Sequence, residues 1–226
     1  MASFDRIGNA YRTHGPLGLC KLALQRCAGV LAPMIFQARD ELIFTRNLSR
    51  RDDYRRSVGL VVSTLQPTDL AELQVFIQEC NASPVLALQR LRFSLERGYS
   101  GVLARLDGRI VGYGWWAPSD TPVHPQARLH GVRLEPNEAF VFDLFIDPGL
   151  RKRQAGLEFL VLSEEHGVAL GYTKIYSTIM RDNRRSSWVH HLAGWHHLEP
   201  ARRVRVFAST TIVCGNRLQR YDRRWF

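Results

Sequence analysis

A short basic loop links an apolar strand to a helix in the second half of the chain. The strand covers residues 139–146 and stops at Asp147-Pro148-Gly149, and the loop Arg151–Gly156 leads into a helix that runs to about Leu170. The first amides of a helix have no partner inside it, and the helix dipole adds positive charge at the same end. This stretch therefore predicts a binding site for a phosphate-bearing ligand.

The composition is that of an ordinary folded protein with an excess of positive charge. The chain has 226 residues, of which 45% are hydrophobic and 23% charged, and its formal net charge is +10. These values exclude a disordered or collagen-like chain. The charge predicts an anionic partner, which could be a phosphorylated ligand, an acidic membrane surface or nucleic acid.

The four cysteines give no signal of a metal site or a disulfide framework. They lie at positions 20, 27, 80 and 214, without CxxC or Cys/His spacing, and are interpreted as thiols in a reducing cytosol. No apolar run is long enough to span a membrane, and no secretory signal peptide is evident. The sequence therefore predicts a cytoplasmic protein.

Residues 1–57 are predicted to form an appendage made of an amphipathic helix and a basic linker. Apolar residues recur at helical spacing over residues 17–31. Two interpretations stay open: an extra helix packed on the domain, or a peripheral contact of residues 16–36 with a membrane or a partner helix. A short strand over Glu41–Leu48 is also compatible with the sequence.

Residues 58–226 alternate between strands and helices and are predicted to form the main domain. The order of elements predicts an α/β domain whose mixed sheet is mainly antiparallel and contains one βαβ-like unit. Neither GxGxxG nor GxxxxGK[ST] occurs, so a dinucleotide fingerprint and a P-loop are excluded. The predicted elements are a strand at 59–65, helices at 69–80 and 84–97, a hairpin of 101–106 and 109–116, a long loop at 117–137, the strand 139–146 and its helix, a strand at 174–180, a short helix after Asn183, and strands at 204–207 and 210–213.

The stretch Val141–Gly156, with the following helix, Asn183 and Leu192-Ala193-Gly194-Trp195, resembles the GNAT family of acyl-CoA N-acyltransferases. The order of elements is similar from Gly59 to the C-terminus. The family loop reads Arg/Gln-x-x-Gly-x-Gly/Ala. Arg151 and Gly156 match its two ends, but Gln154 stands at the first glycine, where a glutamine is expected to keep ordinary backbone dihedrals.

The resemblance implies acetyl-CoA or another acyl-CoA as co-substrate. In the family the strand before the loop diverges from its neighbour, pairs through its backbone with the pantetheine arm, and polarises the thioester carbonyl with a backbone amide. A substrate amine then attacks directly, without a covalent acyl-enzyme. The residues implied in cofactor binding are Leu144, Phe145, Ile146, Arg151, Arg153, Gln154, Ala155, Gly156 and Asn183.

Direct transfer needs a base for the incoming ammonium and an acid for the leaving thiolate. Glu138 and Asp143 are the candidate bases, and because they have opposite parity on a regular strand, only one would face the acceptor unless a bulge intervenes. Asp143 is preferred because a carboxylate in so apolar a run needs a purpose or a partner; the alternative is an acid neutralised by a nearby arginine.

His190 is the candidate acid, because it stands where the family has a tyrosine, counted from Asn183 and from Gly194. The alternative is a surface residue in a cluster of histidines. That cluster, His190, His191, His196 and His197, has no known zinc spacing, so no metal is predicted.

The acceptor pocket could be lined by residues of the hairpin end and the long loop. Arg128 and Arg133 would suit an acidic or phosphorylated substrate; equally, this region is a packed hairpin end and a solvated loop. The remaining candidates for the lining are Trp115, Trp116 and His130.

The sequence thus predicts a CoA-dependent N-acyltransferase, most simply an acetyltransferase, acting on a small-molecule amine, an amino sugar or a protein amine. The alternative is a non-catalytic GNAT-like domain that binds a membrane or a partner through its basic N-terminal arm. Nucleic-acid binding is not predicted, because no recognised motif supports it. A homodimer is left open.

Overall fold

The structure is a computed structural model that describes residues 36–49, 56–206, 209–214 and 217–221. The predicted N-terminal amphipathic helix lies outside these residues, as does most of the predicted basic linker. Within the described residues, no helix is long and apolar enough to cross a bilayer. The contact with a membrane or partner, the homodimer and the cytoplasmic location stay predictions.

The described part of the chain folds into nine strands and five α-helices. From residue 59 to residue 214 their order is the predicted one apart from a short helix at 125–129, and the last strand, at 217–221, was not predicted. A 3₁₀ helix comes directly before the α-helix that begins at Leu70 and before the one that begins at Ala155. The strands are β1 (Phe36–Asn47), β2 (Val61–Thr64), β3 (Ser100–Leu106), β4 (Arg109–Pro118), β5 (Glu138–Ile146), β6 (Lys174–Met180), β7 (His196–Val206), β8 (Ser209–Cys214) and β9 (Arg217–Tyr221). The α-helices are α1 (Leu70–Cys80), α2 (Pro84–Glu96), α3 (Pro125–Leu129), α4 (Ala155–Ala169) and α5 (Arg184–Leu192).

One sheet runs through the molecule in the order β2-β3-β4-β5-β6-β1-β7-β8-β9. Every neighbouring pair is antiparallel except β5 and β6, which are parallel and are joined through α4. This confirms the prediction of a mainly antiparallel mixed sheet with a single βαβ unit. The predicted long loop differs in one respect, since it contains the short helix α3.

The first strand lies inside the sheet and not in an appendage. β1 pairs with β6 from Glu41 to Asn47 and with β7 from Phe36 to Thr45. A domain boundary at residue 57 therefore separates a strand from the sheet to which it belongs, and the predicted appendage is wrong for residues 36–47. The short strand that the sequence allows over Glu41–Leu48 corresponds to the second half of β1. Its first half was not predicted, because charged residues at 39–41 interrupt the apolar alternation that identifies a sheet strand.

Helices cover both faces of the sheet, and each face has its own buried cluster. On one face, α4 packs against Phe44, Trp116 and Val141. On the other face, α1, α2 and α3 cover Phe140, Phe142 and other aromatic side chains. Because β5 is buried on both faces, its sequence is an almost continuous apolar run. We call these the α4 face and the α1–α3 face.

A buried carboxylate on α4 holds the chain that enters β2. Glu158 accepts hydrogen bonds of 2.6–2.8 Å from the backbone amides of residues 57–60, and one of 3.1 Å from the Ser57 hydroxyl. Burial acts to raise the pKa of Glu158, but these hydrogen bonds outweigh it and the pKa is lowered. The contacts fix the first turns of α4, and therefore the loop before it, relative to the sheet.

A second buried carboxylate joins α4 to β1 and to the end of α5. Glu164 accepts a hydrogen bond of 2.7 Å from the indole nitrogen of Trp195 and lies 3.3 Å from Nε of Arg46. Arg46 also donates from Nη1 to the carbonyl of Gly194 at 2.7 Å. The Gly194-Trp195 pair therefore anchors the end of α5 against the helix that follows the basic loop.

Candidate active site

The two parallel strands diverge after three residue pairs. β5 and β6 pair only at Glu138, Ala139 and Phe140, opposite residues 174–176. Beyond that point β5 continues along β4 to Ile146, while β6 continues along β1 to Met180. The backbone edge of β5 that faces β6 is thus unpaired over its second half in the described sheet. This is the divergence that the family resemblance implies.

A β-bulge on β5 lies at the mouth of this gap. The register with β4 shifts between Trp115, opposite Phe142, and Tyr113, opposite Phe145. Asp143 occupies the bulge with φ of +49°. Gly114 makes the bulge possible, because a Cβ there would lie 2.4 Å from Cδ2 of Leu144. Two β5 residues therefore oppose one residue of β4.

The bulge also changes the faces onto which β5 side chains point. Before it, Val141 belongs to the α4 face and Phe142 to the α1–α3 face; after it, Leu144 and Ile146 belong to the α4 face and Phe145 to the α1–α3 face. The side chain of Asp143 meets Arg90 of α2 on the α1–α3 face. On a regular strand, the side chains of Glu138 and Asp143 would point to opposite faces of the sheet. Because of the bulge, this alternation does not extend through position 143.

The basic loop folds as a 3₁₀ helix, Pro148–Arg153, that runs directly into α4. Gln154 joins the two helices with φ of +61° and ψ of +11°. The expectation that a glutamine keeps ordinary dihedrals at this position is wrong. The left-handed conformation costs a non-glycine residue on the order of 1 kcal/mol, an amount that the surrounding turn can offset.

The N-terminus of α4 has the properties required to bind a pyrophosphate. The amides of Leu157 and Glu158 bond to the carbonyl of Gln154, and helix geometry leaves the earlier amides of Ala155 and Gly156 without an acceptor inside the helix. A Cβ at Gly156 would meet no atom closer than 4.0 Å. Close packing within the protein therefore does not require this glycine, and the space beside it is open to a ligand.

Arg151 contributes a positive charge beside this helix end. Its guanidinium carbon lies 5.5 Å from the centre of the Phe145 ring, a cation–π distance. Phe145 in turn stacks on Tyr113 with ring centres 5.6 Å apart. The arginine is thus positioned over the end of β5.

Asp143 is paired with an arginine, as one of the two sequence interpretations foresaw. Nη1 of Arg90 lies 2.8 Å from Oδ1 of Asp143. Burial raises the pKa of Asp143, and the charge and hydrogen bond of Arg90 reduce that rise without cancelling it. The carboxylate therefore has a neutralising partner and also an environment that favours accepting a proton.

Glu138 lies at the opposite end of β5 and does not share a site with Asp143. Five residues of extended strand separate the two, roughly 16 Å. The Glu138 carboxylate accepts a hydrogen bond of 2.9 Å from the amide of Glu135, and its other oxygen lies 3.9 Å from Nζ of Lys174. These contacts close the turn that leads into β5.

His190 is buried and belongs to the core, so the surface alternative is wrong. Its side chain contacts Trp195 and Phe44, with ring centres 4.8 and 5.7 Å apart. Nδ1 lies 2.8 Å from the carbonyl oxygen of Ser186, which accepts its proton, and Nε2 is buried without a hydrogen-bond partner in the described structure. Burial lowers the pKa of His190 to about 4, a shift that the Ser186 carbonyl opposes.

Asn183 caps α5, accepting a hydrogen bond of 3.2 Å from the amide of Ser186. Trp115 and Trp116 are each about 1% exposed, so the packed hairpin end is confirmed for them, whereas Arg128 and Arg133 are exposed. Among the described residues, no group of three or more His, Cys, Asp or Glu is placed to hold a metal ion.

Sequence reasoning missed several polar residues of the α1–α3 face. Arg90 was visible only as a charged position on a predicted helix. The hydroxyl of Tyr113 accepts a hydrogen bond of 3.3 Å from Asn81, and burial, followed by the charge of Asp143, raises its pKa to about 12. The two glycines in the apolar strand at 112 and 114 were the one signal of the bulge, because glycine inside a strand marks a bulge or a close approach.

His130, a candidate for the acceptor pocket, is completely buried and lies 2.6 Å from the carboxylate of Glu41 on β1. The pair connects the long loop to the centre of the sheet. It also supplies a buried partner for Glu41. His130 therefore anchors the loop.

Fold and site together define a mixed α/β domain with a gap between two diverging parallel strands and a helix N-terminus next to the end of the first of these strands. The model of the acetyltransferase (GNAT) family matches residues 69–195, more than half of the chain. The protein belongs to the GNAT acetyltransferase family, whose co-substrate is acetyl-CoA. No curated protein matches the chain.

Solved structures share the fold at low sequence identity. An acetyltransferase from Colwellia psychrerythraea has a TM-score of 0.51 at 13% identity, with 75% of this chain and 55% of that chain covered. An N-acetyltransferase from Sphaerobacter thermophilus has a TM-score of 0.50 at 12% identity, with 85% of this chain and 57% of that chain covered. The glucosamine N-acetyltransferase region of a fungal multi-domain β-N-acetylglucosaminidase has a TM-score of 0.54 at 11% identity, with 79% of this chain and 22% of that chain covered. The chain spans less than two thirds of each of these proteins, and the likeness concerns the fold alone.

Proposed function

We propose that this protein is a CoA-dependent N-acyltransferase, most simply an acetyltransferase, that transfers an acyl group directly to an amine. The observation that carries the proposal is the gap between β5 and β6, because an unpaired strand edge, a bulge and a helix N-terminus with open space at Gly156 meet there. Small-molecule amines, amino sugars and protein amines are all acceptors that this chemistry allows.

The residues present fit the acyl donor along its length. The amides of residues 154–156 and the charge of Arg151 would hold the pyrophosphate at the start of α4. The free edge of Leu144–Ile146 would pair with the pantetheine arm as a further strand does. A backbone amide beside the bulge would polarise the thioester carbonyl. Acetyl-CoA supplies the activated acyl group.

Asp143 is the proposed base. The acceptor enters as an ammonium and must lose a proton before its nitrogen can form the new bond to the acyl carbon. Asp143 accepts that proton, and the bond between the acyl carbon and the CoA sulfur breaks as the amide forms. The raised pKa of Asp143 suits this role, because the carboxylate then binds the proton more readily than an exposed aspartate does.

His190 remains the proposed acid, provided that its Nε2 carries a proton. In the neutral ring Nδ1 donates to Ser186, so Nε2 carries a lone pair and no proton. Nε2 would therefore first take up the second proton that the acceptor nitrogen loses as the amide forms, and would then pass this proton to the thiolate. Glu138, in contrast, is proposed to act on the stability of the turn before β5 and not on the reaction.

The test is a transfer assay with the purified full chain, acetyl-CoA and a panel of primary amines, in which the released CoA thiol is measured. We expect thiol release that depends on the amine, together with an amide product identified by mass spectrometry. Thiol release at the same rate without an amine would indicate hydrolysis and would contradict direct transfer. A panel without any turnover, from a protein that also fails to bind CoA, would favour the non-catalytic binding module.

A further inference from the structure

In the free protein, the proposed base is paired with an arginine whose own side chain reaches solvent. We infer that Arg90 selects acceptor amines that carry a carboxylate, and that this carboxylate takes over the guanidinium and frees Asp143 for the ammonium group. The inference rests on the proposed function and names the acceptor class for the same site. Amino acids and related zwitterionic amines are the class it predicts.

The exposure of the two partners is unequal. The side chain of Arg90 is 54% exposed, whereas that of Asp143 is 24% exposed. The guanidinium is therefore more accessible than the carboxylate to a group that arrives from solvent. The hydrogen bond to Asp143 uses Nη1 alone, and a guanidinium carries five N–H donors in a planar fork that matches a carboxylate.

Two titratable groups on the α1–α3 face, near Asp143, are neutral and do not take over this exchange. Tyr113 on β4 faces it with a phenol that stays neutral. His124, from the chain before α3, stacks on Phe142 with ring centres 4.0 Å apart. Burial, helped by the charges of Arg97 and Arg90, lowers the pKa of His124 to about 3, so this ring is also neutral.

The local charge balance follows from these assignments. A simple amine would add its positive charge beside Arg90 and would compete with it for a single carboxylate. An amine that carries its own carboxylate adds no net charge and offers Arg90 a replacement partner. Once Arg90 has moved, Asp143 loses the interaction that opposes the rise of its pKa, and it becomes a better proton acceptor when the acceptor is bound.

Matched pairs of amines test the inference on the full chain. Suitable pairs are phenylalanine with 2-phenylethylamine and lysine with cadaverine, and phosphoethanolamine provides a phosphate-bearing alternative. For the wild type we expect the carboxylate member to have a kcat/KM at least tenfold higher. In Arg90→Gln this preference should disappear, mainly through a higher KM. In this variant, the fall of kcat/KM at acid pH should also begin at a higher pH, because the guanidinium of Arg90 no longer lowers the pKa of Asp143.

Arg92→Gln is the matched control, since Arg92 is exposed on the same helix two residues further on. It should keep both the preference and the pH profile. Binding is measured independently of turnover, by the change in melting temperature that each amine causes in the CoA-saturated protein.

The inference is overturned if Arg90→Gln keeps the preference, if phosphoethanolamine is the only amine preferred, or if no carboxylate amine is either acetylated or bound. If the wild-type protein does not bind CoA, the proposed function itself is contradicted. The two failures are therefore distinguishable.

Discussion

At the scale of single residues, the proposed chemistry depends on Asp143, a residue whose backbone conformation is unusual. Asp143 occupies a bulge at φ +49°, where aspartate is several-fold more frequent than most residues. The bulge removes it from the regular pleat and brings it to Arg90. A carboxylate in a half-buried position, with a raised pKa and a specific charge partner, is typical of functional sites.

Asp143→Asn should reduce kcat/KM by about 100-fold or more, the usual contribution of a general base. The asparagine keeps the shape of the side chain but cannot accept the proton. The dissociation constant for acetyl-CoA, measured by calorimetry, should stay the same within a factor of about two. Wild-type activity should fall with decreasing pH through the raised pKa of Asp143, because the base must be ionised, and this acid limb should vanish in the variant.

Glu138→Gln is the matched control on the same strand. We expect it to change the melting temperature but not kcat/KM, because its carboxylate bonds to the turn at Glu135. A Glu138→Gln variant that loses activity as strongly as Asp143→Asn, without losing stability, would contradict the assignment of the base.

At the scale of elements, the sequence predicts the strand-loop-helix unit well and its distortions poorly. The apolar run of β5 and the basic loop are local signals, and both were visible. The bulge at Asp143 depends on a contact between Leu144 and Gly114 on another strand. The left-handed Gln154 depends on how a 3₁₀ helix meets α4. Such features follow from tertiary context, which overrides local preference.

The position of α4 depends on Glu158, and this can be tested by stability. Glu158→Gln leaves a side chain that cannot accept hydrogen bonds from four amides at once, and we expect a loss of about 3 kcal/mol in the free energy of unfolding, measured with urea. Because the pKa of Glu158 is lowered by folding, its contribution is complete above the unfolded pKa of about 4.3 and is lost as the pH falls through the lower folded value.

The glutamine variant should therefore lose less stability than the wild type between about pH 5 and pH 2. Glu165→Gln on the same helix serves as a control, because this side chain is only partly buried. Equal acid sensitivity in Glu158→Gln and wild type would show that the carboxylate is not the group that holds residues 57–60.

At the scale of the whole molecule, β1 shows the limit of reasoning from sequence alone. The sequence allows a short strand over Glu41–Leu48 but assigns it to an appendage, whereas the sheet places β1 between β6 and β7, where Glu41 meets His130. The chain order of the elements was largely predictable from residue 59 to residue 214, whereas the spatial order was not. A buried hydrogen-bonded contact between distant segments leaves no pattern in either segment.

Two buried neutral histidines should make the whole fold sensitive to acid. Folding lowers the pKa of His124 to about 3 and of His190 to about 4. The unfolded chain therefore binds protons first, and stability falls as the pH drops below the unfolded value of about 6.5. From the linkage relation each histidine should remove about 2 kcal/mol between pH 7 and pH 5.

His190→Phe tests this assignment, because the ring packs beside Phe44 and Trp195 and phenylalanine does not titrate. The variant should lose about 2 kcal/mol less than the wild type between pH 7 and pH 5, as measured by urea unfolding at each pH. An unchanged pH dependence would mean that His190 is not a buried neutral group. His191→Phe, at the exposed neighbouring position, is the control.

The central claim is that the gap between β5 and β6, with the N-terminus of α4, binds an acyl-CoA. Isothermal titration of the full chain with acetyl-CoA tests it most directly. We expect saturable binding with one site per chain, and at least a tenfold loss of affinity in Gly156→Glu, which places a negative charge where the pyrophosphate should lie. No binding at millimolar acetyl-CoA, or equal affinity in a stably folded Gly156→Glu variant, would contradict the claim.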